Sequence, residues 1–325
     1  MNITINPPFG FSEIGQRQNN EDFLFPLLEN VTTNDFLFLV CDGVGGAEKG
    51  EVASQLAAET ISEFLLAASA EELTDKSTIQ NAIETTLQAF DKAVLLDENK
   101  KGMATTLTLW LSTTVGIWLS HIGDSRIYHI RNNTILYQSK DHTLINQLLD
   151  QEIITPEEAA VSTQKNVISR AIQAGQDRPV KAESFLQTNV QKGDYFLLCS
   201  DGVLEFMTDE ILVSILQNKE KNNTEKLHQI KEFCKENNTK DNNTAYLIEL
   251  NEVSEAMEVE INEDEPTTKE VIKEQEETEE KQEKQVTTQS HETQEIDNEE
   301  KKQEDKKLES KQEEGFMQKV KKFFK

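Results

Sequence analysis

Val40-Cys41-Asp42-Gly43-Val44-Gly45-Gly46, answered far downstream by Ser200-Asp201-Gly202, is the stretch on which the reading of the whole chain turns. Each Asp-Gly follows a short apolar run, residues 36–41 and 196–199, with the length and the Leu, Phe and Val content of a buried strand. Such a run delivers its carboxylate to the mouth of a sheet. The adjoining glycine lets backbone approach a ligand, or take a positive φ, at small steric cost. Two of these ends predict a metal site.

Working outward, Ala53, Leu56, Ala57, Thr60, Ile61, Phe64 and Leu65 repeat at the spacing of one buried helical stripe. Ile79, Ala82, Ile83, Thr86, Leu87, Phe90 and Val94 do so again, with Ser77 as the N-cap. Strands are predicted over 105–111, 115–121, 127–131 and 134–137, the last two joined by Asn132-Asn133, a pair that accepts the positive φ of a tight hairpin. Short helices are read at 141–151 and 156–160, then a helix pair at 209–217 and 224–235 before a closing strand at 244–250. Ahead of all these, residues 10–25 read as two extended pieces around a polar turn that gathers Arg17, Glu21 and Asp22. Strands in succession, with helices grouped rather than alternating, favour an α+β layered sandwich over a doubly wound sheet.

The 325 residues admit one large domain or two, and composition divides them. Residues 251–325 hold 24 acidic and 13 basic side chains, with no aromatic before the last eleven positions. Such a segment buries too little apolar surface to offset chain entropy and is expected to be disordered or a solvated helix. The expected division is therefore a folded unit at 1–250, an acidic low-complexity tail at 251–314 and a basic amphipathic end at 315–325. The formal net charge of −27 argues against nucleic acid as a partner and leaves any phosphate chemistry to cations or a local arginine. Three cysteines give no disulfide framework: Cys41, Cys199 and Cys234 read as reduced core residues. With no signal-like N-terminus and no run of eighteen apolar residues, the expectation is a soluble cytoplasmic protein.

Asp22, Asp42, Asp124, Asp201 and Asp241 all fall at turns or strand ends. Hard oxygen ligands with no histidine or cysteine pair beside them suit Mn²⁺ or Mg²⁺ rather than zinc. One carboxylate can bridge two such ions, which activate water for in-line attack on phosphorus, and Arg17 is of the type that clamps phosphoryl oxygens.

At this point the chain resembles the metal-dependent PPM or PP2C-type serine/threonine protein phosphatases of bacteria. The likeness rests on eight motifs in order between residues 11 and 250: R-Q-N-N-E-D, V-C-D-G-V-G-G, G-M-A-T-T-L, G-D-S-R, K-D-H-T, I-S-R-A-I, L-L-C-S-D-G-V and K-D-N-N-T. It implies a central antiparallel β-sandwich flanked by helix pairs. It also implies roles: Asp42 bridging two metals, the Gly43 carbonyl reaching one through water, Asp201 and Asp241 completing one site, Glu21 or Asp22 the other. Arg17 would bind phosphate, Asp124 would help hold a weaker third ion, and phosphorylated proteins opposite a Ser/Thr kinase would be the substrates. The chain departs from the family at Val44, where some members carry a histidine proposed as general acid, at Gly46-Ala47-Glu48 in place of G-G-H, and at Gln173, where R-A-L-G would have glycine.

A rival from another class is a catalytically weak phosphatase-like domain that binds partners; loss of the metal carboxylates would be its mark, and they are present. A third makes the chain chiefly a scaffold whose tail does the work. His142 reads as a loop-ordering residue, His121 as a satisfied core residue, and Trp110 and Trp118 as packing. Residues 141–167 occupy the place of the mobile flap of the bacterial relatives or form an ordinary surface loop. In 315–325, Phe316, Met317, Val320, Phe323 and Phe324 share one stripe beside Lys319, Lys321, Lys322 and Lys325. That pattern suits docking on an anionic membrane surface or a partner groove, against the alternative of a frayed tail.

Overall fold

The computed structural model describes residues 1–254 apart from 46–47, 163, 165–166, 177–178 and 219. The tail from 255 onward, with the segment 315–325, lies outside the described residues, as do Gly46 and Ala47.

Strands β1 (Asn2–Ile5) and β2 (Phe9–Glu13) lead into the polar turn, and β3 (Asp22–Phe25) leaves it to pair with β4 (Leu37–Val44). Helices α1 (Glu48–Ala67) and α2 (Lys76–Leu96) follow as their stripes require. The cap of α2 is Asp75, not Ser77: its carboxylate accepts from the Ser77 amide at 2.8 Å, the more usual reach of an Asp cap to the second helical residue. The strand expected at 105–111 is two, β5 (Ala104–Thr105) and β6 (Leu107–Thr113), interrupted where the Thr106 amide turns to the Asp42 carbonyl at 2.8 Å.

A meander continues through β7 (Gly116–Ile122), β8 (Arg126–Arg131) and β9 (Thr134–Gln138), with Asn132 and Asn133 at φ 47° and 66° in the last hairpin. Next come α3 (Leu144–Asp150), α4 (Pro156–Ala160), β10 (Ile172–Gln173), β11 (Glu183–Gln187) and β12 (Tyr195–Cys199). A one-turn helix α5 (Asp201–Leu204), unread from the sequence, precedes α6 (Asp209–Leu216), α7 (Asn223–Glu236) and β13 (Asn243–Ser254).

All pairings are antiparallel. One sheet runs β1-β13-β12-β8-β9 with β2 beside β13; the other runs β10-β5-β4-β6-β7-β11 with β3 beside β4. Period-2 alternation then sorts the core. Leu37, Leu39 and Cys41 of β4 face the stripes of α1 and α2, while Phe38 and Val40 face Phe196, Leu198, Tyr246 and Ile248 of the opposite sheet. The other face of that sheet, Leu197, Cys199 and Leu247, packs on Val203, Leu212, Leu227 and Ile230 of α5 to α7. The layers are helices, sheet, sheet, helices, as the motifs imply. Trp110 sits edge-to-face between Phe38 and Phe196, and the three cysteines are buried and free. The glycine missing at Gln173 returns two residues on: Gly175, at φ 76°, makes the turn that Gln173 leaves as it pairs with Ala104.

Candidate metal centre

Asp22 and Asp42 stand directly opposite each other in the β3–β4 register, so hairpin geometry alone sets two carboxyls side by side. Asp201 opens α5 immediately after β12, and Asp241 lies two residues before β13, its carboxylate accepting from Arg17 Nη2 at 2.5 Å. The Asp42 carboxyl is close enough to Asp22, Asp201, Asp124 and Asp241 to feel the charge of each. Asp124 is carried on the β7–β8 turn after Gly123, whose φ of 100° and whose contact with Thr106 exclude a side chain. Arg17, Asp124, Asp201 and Asp241 line one cavity of about 470 Å³ with Arg126 and Asp141. A larger groove, of about 840 Å³, lies at the far ends of β12 and β13 against Tyr195 and Lys226, and its one carboxylate is Glu249.

Glu21 and Asp22 are adjacent in sequence yet take different places. Asp22 is buried, and Ser200 Oγ donates to its Oδ2 at 2.7 Å. Glu21 is half-buried, and its carboxylate shares one space with the Gly43 carbonyl: a Cβ built on Gly50 of α1 would meet Glu21 Oε2 at 2.6 Å and Gly43 O at 2.9 Å. The first turn of α1 can approach β4 this closely only because both positions are glycine.

Three residues that the sequence reading did not single out hold the acids in place. Thr106 donates its amide to the Asp42 carbonyl, accepts the Asp42 amide at its hydroxyl (3.0 Å) and hydrogen-bonds Ser125 (2.7 Å), tying the Asp42 strand to the Asp124 turn. Asn242, buried, accepts from the Glu21 amide and donates to the Ile14 and Asn19 carbonyls, pinning the polar turn to the start of β13. Ser200 does the same work for Asp22. Their signal was present inside the motif strings S-D-G, A-T-T and D-N-N, but nothing local in those strings says which distant group each hydroxyl or amide meets.

Burial, then the charges of Asp201 and Asp241, pushes Asp22 up to about 7 against the hydrogen bond from Ser200. Burial, then Asp201, takes Asp124 to about 7; burial, then Asp241, takes Asp201 to about 6. Asp42 is driven well upward by burial and by Asp22. Asp22 Oδ1 and Asp124 Oδ1 are buried with no hydrogen-bond partner. Buried, unpaired carboxylate oxygens within one cluster of mutually repelling acids fit hard divalent cations, whose binding would remove the repulsion.

A stability prediction follows from the direction of these shifts. A carboxyl whose folded pKa is raised binds more protons folded than unfolded, so stability falls as pH rises from about 4 towards 7. Metal-free Asp124→Asn, neutral throughout, should therefore gain on the wild type between pH 5 and pH 8 by on the order of 1 kcal/mol, a few degrees of unfolding temperature. Thermal melts in chelator at the two pH values measure it; a gap that stays constant or narrows contradicts the assignment.

A family model described as Protein phosphatase 2C matches residues 9–235, more than half of the chain. The chain belongs to the protein phosphatase 2C family. It is 32% identical over 234 residues to the serine/threonine protein phosphatase PstP of Mycobacterium tuberculosis, across 72% of this chain and 43% of that protein, so it spans less than half that relative's length. The crystal structure of the M. tuberculosis phosphatase PstP/Ppp superposes with a TM-score of 0.65 at 30% identity, covering 77% of this chain and all of that one. The catalytic domain of PstP in complex with two manganese ions gives a TM-score of 0.62 at 28% identity over the same shares. The two antiparallel sheets and outer helices of this protein phosphatase 2C chain are thus the fold of its relatives.

Proposed function

We propose that the chain hydrolyses phosphoserine and phosphothreonine on proteins with two Mn²⁺ or Mg²⁺ ions and a third, weaker ion at Asp124. The observation that supports this most is that Asp124, Asp201, Asp241 and Arg17 line one cavity, that buried Asp22 and Asp42, opposite each other in the hairpin, feel the charges of Asp201 and Asp241, and that Asp22 and Asp124 each keep a buried oxygen unpaired. Bound there, the ions would lower the pKa of water and screen the charge of the transferred phosphoryl group.

The chain's own residues divide that work. Asp42 would serve both ions; Asp201 and Asp241 would hold one, while Glu21, Asp22 and the Gly43 carbonyl, which shares one space with the Glu21 carboxylate, would hold the other. Arg17, whose side chain is 54% exposed, exchanges Asp241 for phosphoryl oxygens and orients them bidentately. Val44 offers no acid, so the leaving alkoxide takes its proton from water. No helix among the described residues is long and apolar enough to cross a membrane, and we place the activity in the cytoplasm opposite a Ser/Thr kinase.

Hydrolysis of a phosphothreonine peptide by the purified chain, with and without Mn²⁺, tests the proposal. Release of phosphate only with added metal is the expected result. No release at saturating Mn²⁺ would reject it and favour a partner-binding role.

A further inference from the structure

Asp124 is held by more than its own turn. The residues that follow β9 grip the turn at both ends. Arg126 Nε and Nη2 donate to the two oxygens of Asp141 at 2.6 and 2.7 Å. At the other end, His142 meets Gly123 twice: its amide donates to the Gly123 carbonyl at 2.8 Å, and its Nδ1 accepts from the Gly123 amide at 3.1 Å. His142 also accepts at its carbonyl from Ser169, and Thr143 bridges Ile168, so the loop that leaves at 143 returns to the same residue.

The imidazole is held at both nitrogens. A backbone N–H can only donate, so Nδ1 offers its lone pair to Gly123. Nε2 faces Arg170 Nη1 at 3.1 Å and Glu183 Oε2 at 3.3 Å. Burial and the neighbouring His121 lower His142 to about 4, which keeps the ring neutral at physiological pH. The ring also stacks on buried His121, with centroids 4.4 Å apart and planes 6° apart.

The ligating atoms of His121, His142 and Glu183 come within 4.8 Å of one another, which invites a transition-metal site. Two features speak against it. Near-parallel stacked rings cannot both aim an in-plane lone pair at one ion, and the Arg170 guanidinium, 3.1 Å from His142 Nε2, places a positive charge where a cation would have to approach.

We infer instead that His142 is a positioning residue: through Nδ1 it fixes the Gly123–Asp124 turn, and so the affinity of the Asp124 carboxylate for a divalent cation, while anchoring the base of the 143–168 loop. This rests on the metal reading of the cavity proposed above. Partners that orient a ligand typically change metal affinity by about 10–100-fold when removed.

The two amide replacements separate this role from simple packing. Asn places its Oδ1 near the position of Nδ1, whereas Gln reaches towards Nε2. Calorimetric Mn²⁺ titration of the purified full chain should show tight steps and one weaker step, the weaker absent from Asp124→Ala. His142→Asn should keep that weaker step near wild type. His142→Gln should weaken it about tenfold or more, with the tight steps unmoved.

An unmoved weaker step in His142→Gln, or the reverse order of the two variants, overturns the inference alone. So does failure of His142→Gln to fold when metal-free His142→Asn is stable, since that is the mark of a stability residue. Absence of any Mn²⁺ binding overturns both this inference and the metal reading beneath it.

Discussion

Asp42→Asn should lose phosphopeptide hydrolysis by about a thousandfold while the chain remains folded. The size comes from the stabilisation that a metal ion gives a charged transition state, several kcal/mol, with each 1.36 kcal/mol worth a factor of ten in rate. Asparagine is nearly isosteric, so the strand is not disturbed: Asp42 keeps its place between Thr106 and the β3 register, and its amide and carbonyl are still bonded to the Thr106 hydroxyl and amide. The charge is what disappears. Removing one of several crowded carboxyls should even raise the metal-free unfolding temperature, because a buried Asp42 charge repelled by Asp22, Asp201, Asp124 and Asp241 is gone. Turnover at saturating Mn²⁺ with unfolding temperature beside it is the decisive pair of measurements. Wild-type turnover would show that Asp42 bridges nothing.

Gly43→Ala should fail differently, by losing the fold around the site. A Cβ at Gly43 would lie 2.1 Å from the Gly50 carbonyl oxygen and 2.3 Å from its carbon, both backbone atoms of the first turn of α1. Neither can swing aside as a side chain would. The helix must retreat from β4, opening the packing of Ala53 and Ala57 against Cys41 that the close approach allows. Overpacking of this kind costs about 1–3 kcal/mol or more, so unfolding should shift well to lower denaturant. Gly50→Ala is the informative companion. Its Cβ meets the movable Glu21 carboxylate at 2.6 Å and one backbone atom, the Gly43 oxygen, at 2.9 Å, a milder clash that should spare stability more than Gly43→Ala while weakening metal binding. Equal stability of Gly43→Ala and the wild type would contradict the close approach.

What could be read in advance followed from local physics. The stripes of α1 and α2 are set by a 3.6-residue period, the β8–β9 hairpin by two asparagines that accept positive φ, and the strand ends at Asp42 and Asp201 by apolar runs that stop at glycine. The order of eight short motifs then carried the family. What was not legible depended on residues far apart in the chain. Nothing around Ser200 announces that its hydroxyl will meet Asp22, and nothing near Asn242 announces Glu21. The one-turn helix α5 was missed because four residues carry no period, and the split of β5 from β6 because Thr106 looks like any β-branched strand residue until its amide is seen bonded to Asp42. Glu21 and Asp22 could not be told apart by sequence since both are acids in one turn; the strand register separates them by burying one and turning the other towards Gly43. His121, read as a satisfied core residue, is satisfied at one nitrogen only: Nε2 meets the Lys140 carbonyl, while Nδ1 is buried without a partner.

The pairing of β1 with β13 sets Asn2 opposite Ser254, so the first and last described strands lie side by side in one sheet. Topologically the folded part is a ring whose opening happens to fall at that edge. The clustered acids sit at the other end of β13, and the supports described for them do not pass through the junction: Thr106, Ser200 and Asn242 all act among residues 14–244. The order in which the strands are synthesised is therefore separable from the arrangement that gathers the acids. A linker joining 254 to 2, with new ends cut in the exposed Asn132-Asn133 turn, would give the same neighbours to every residue of the site.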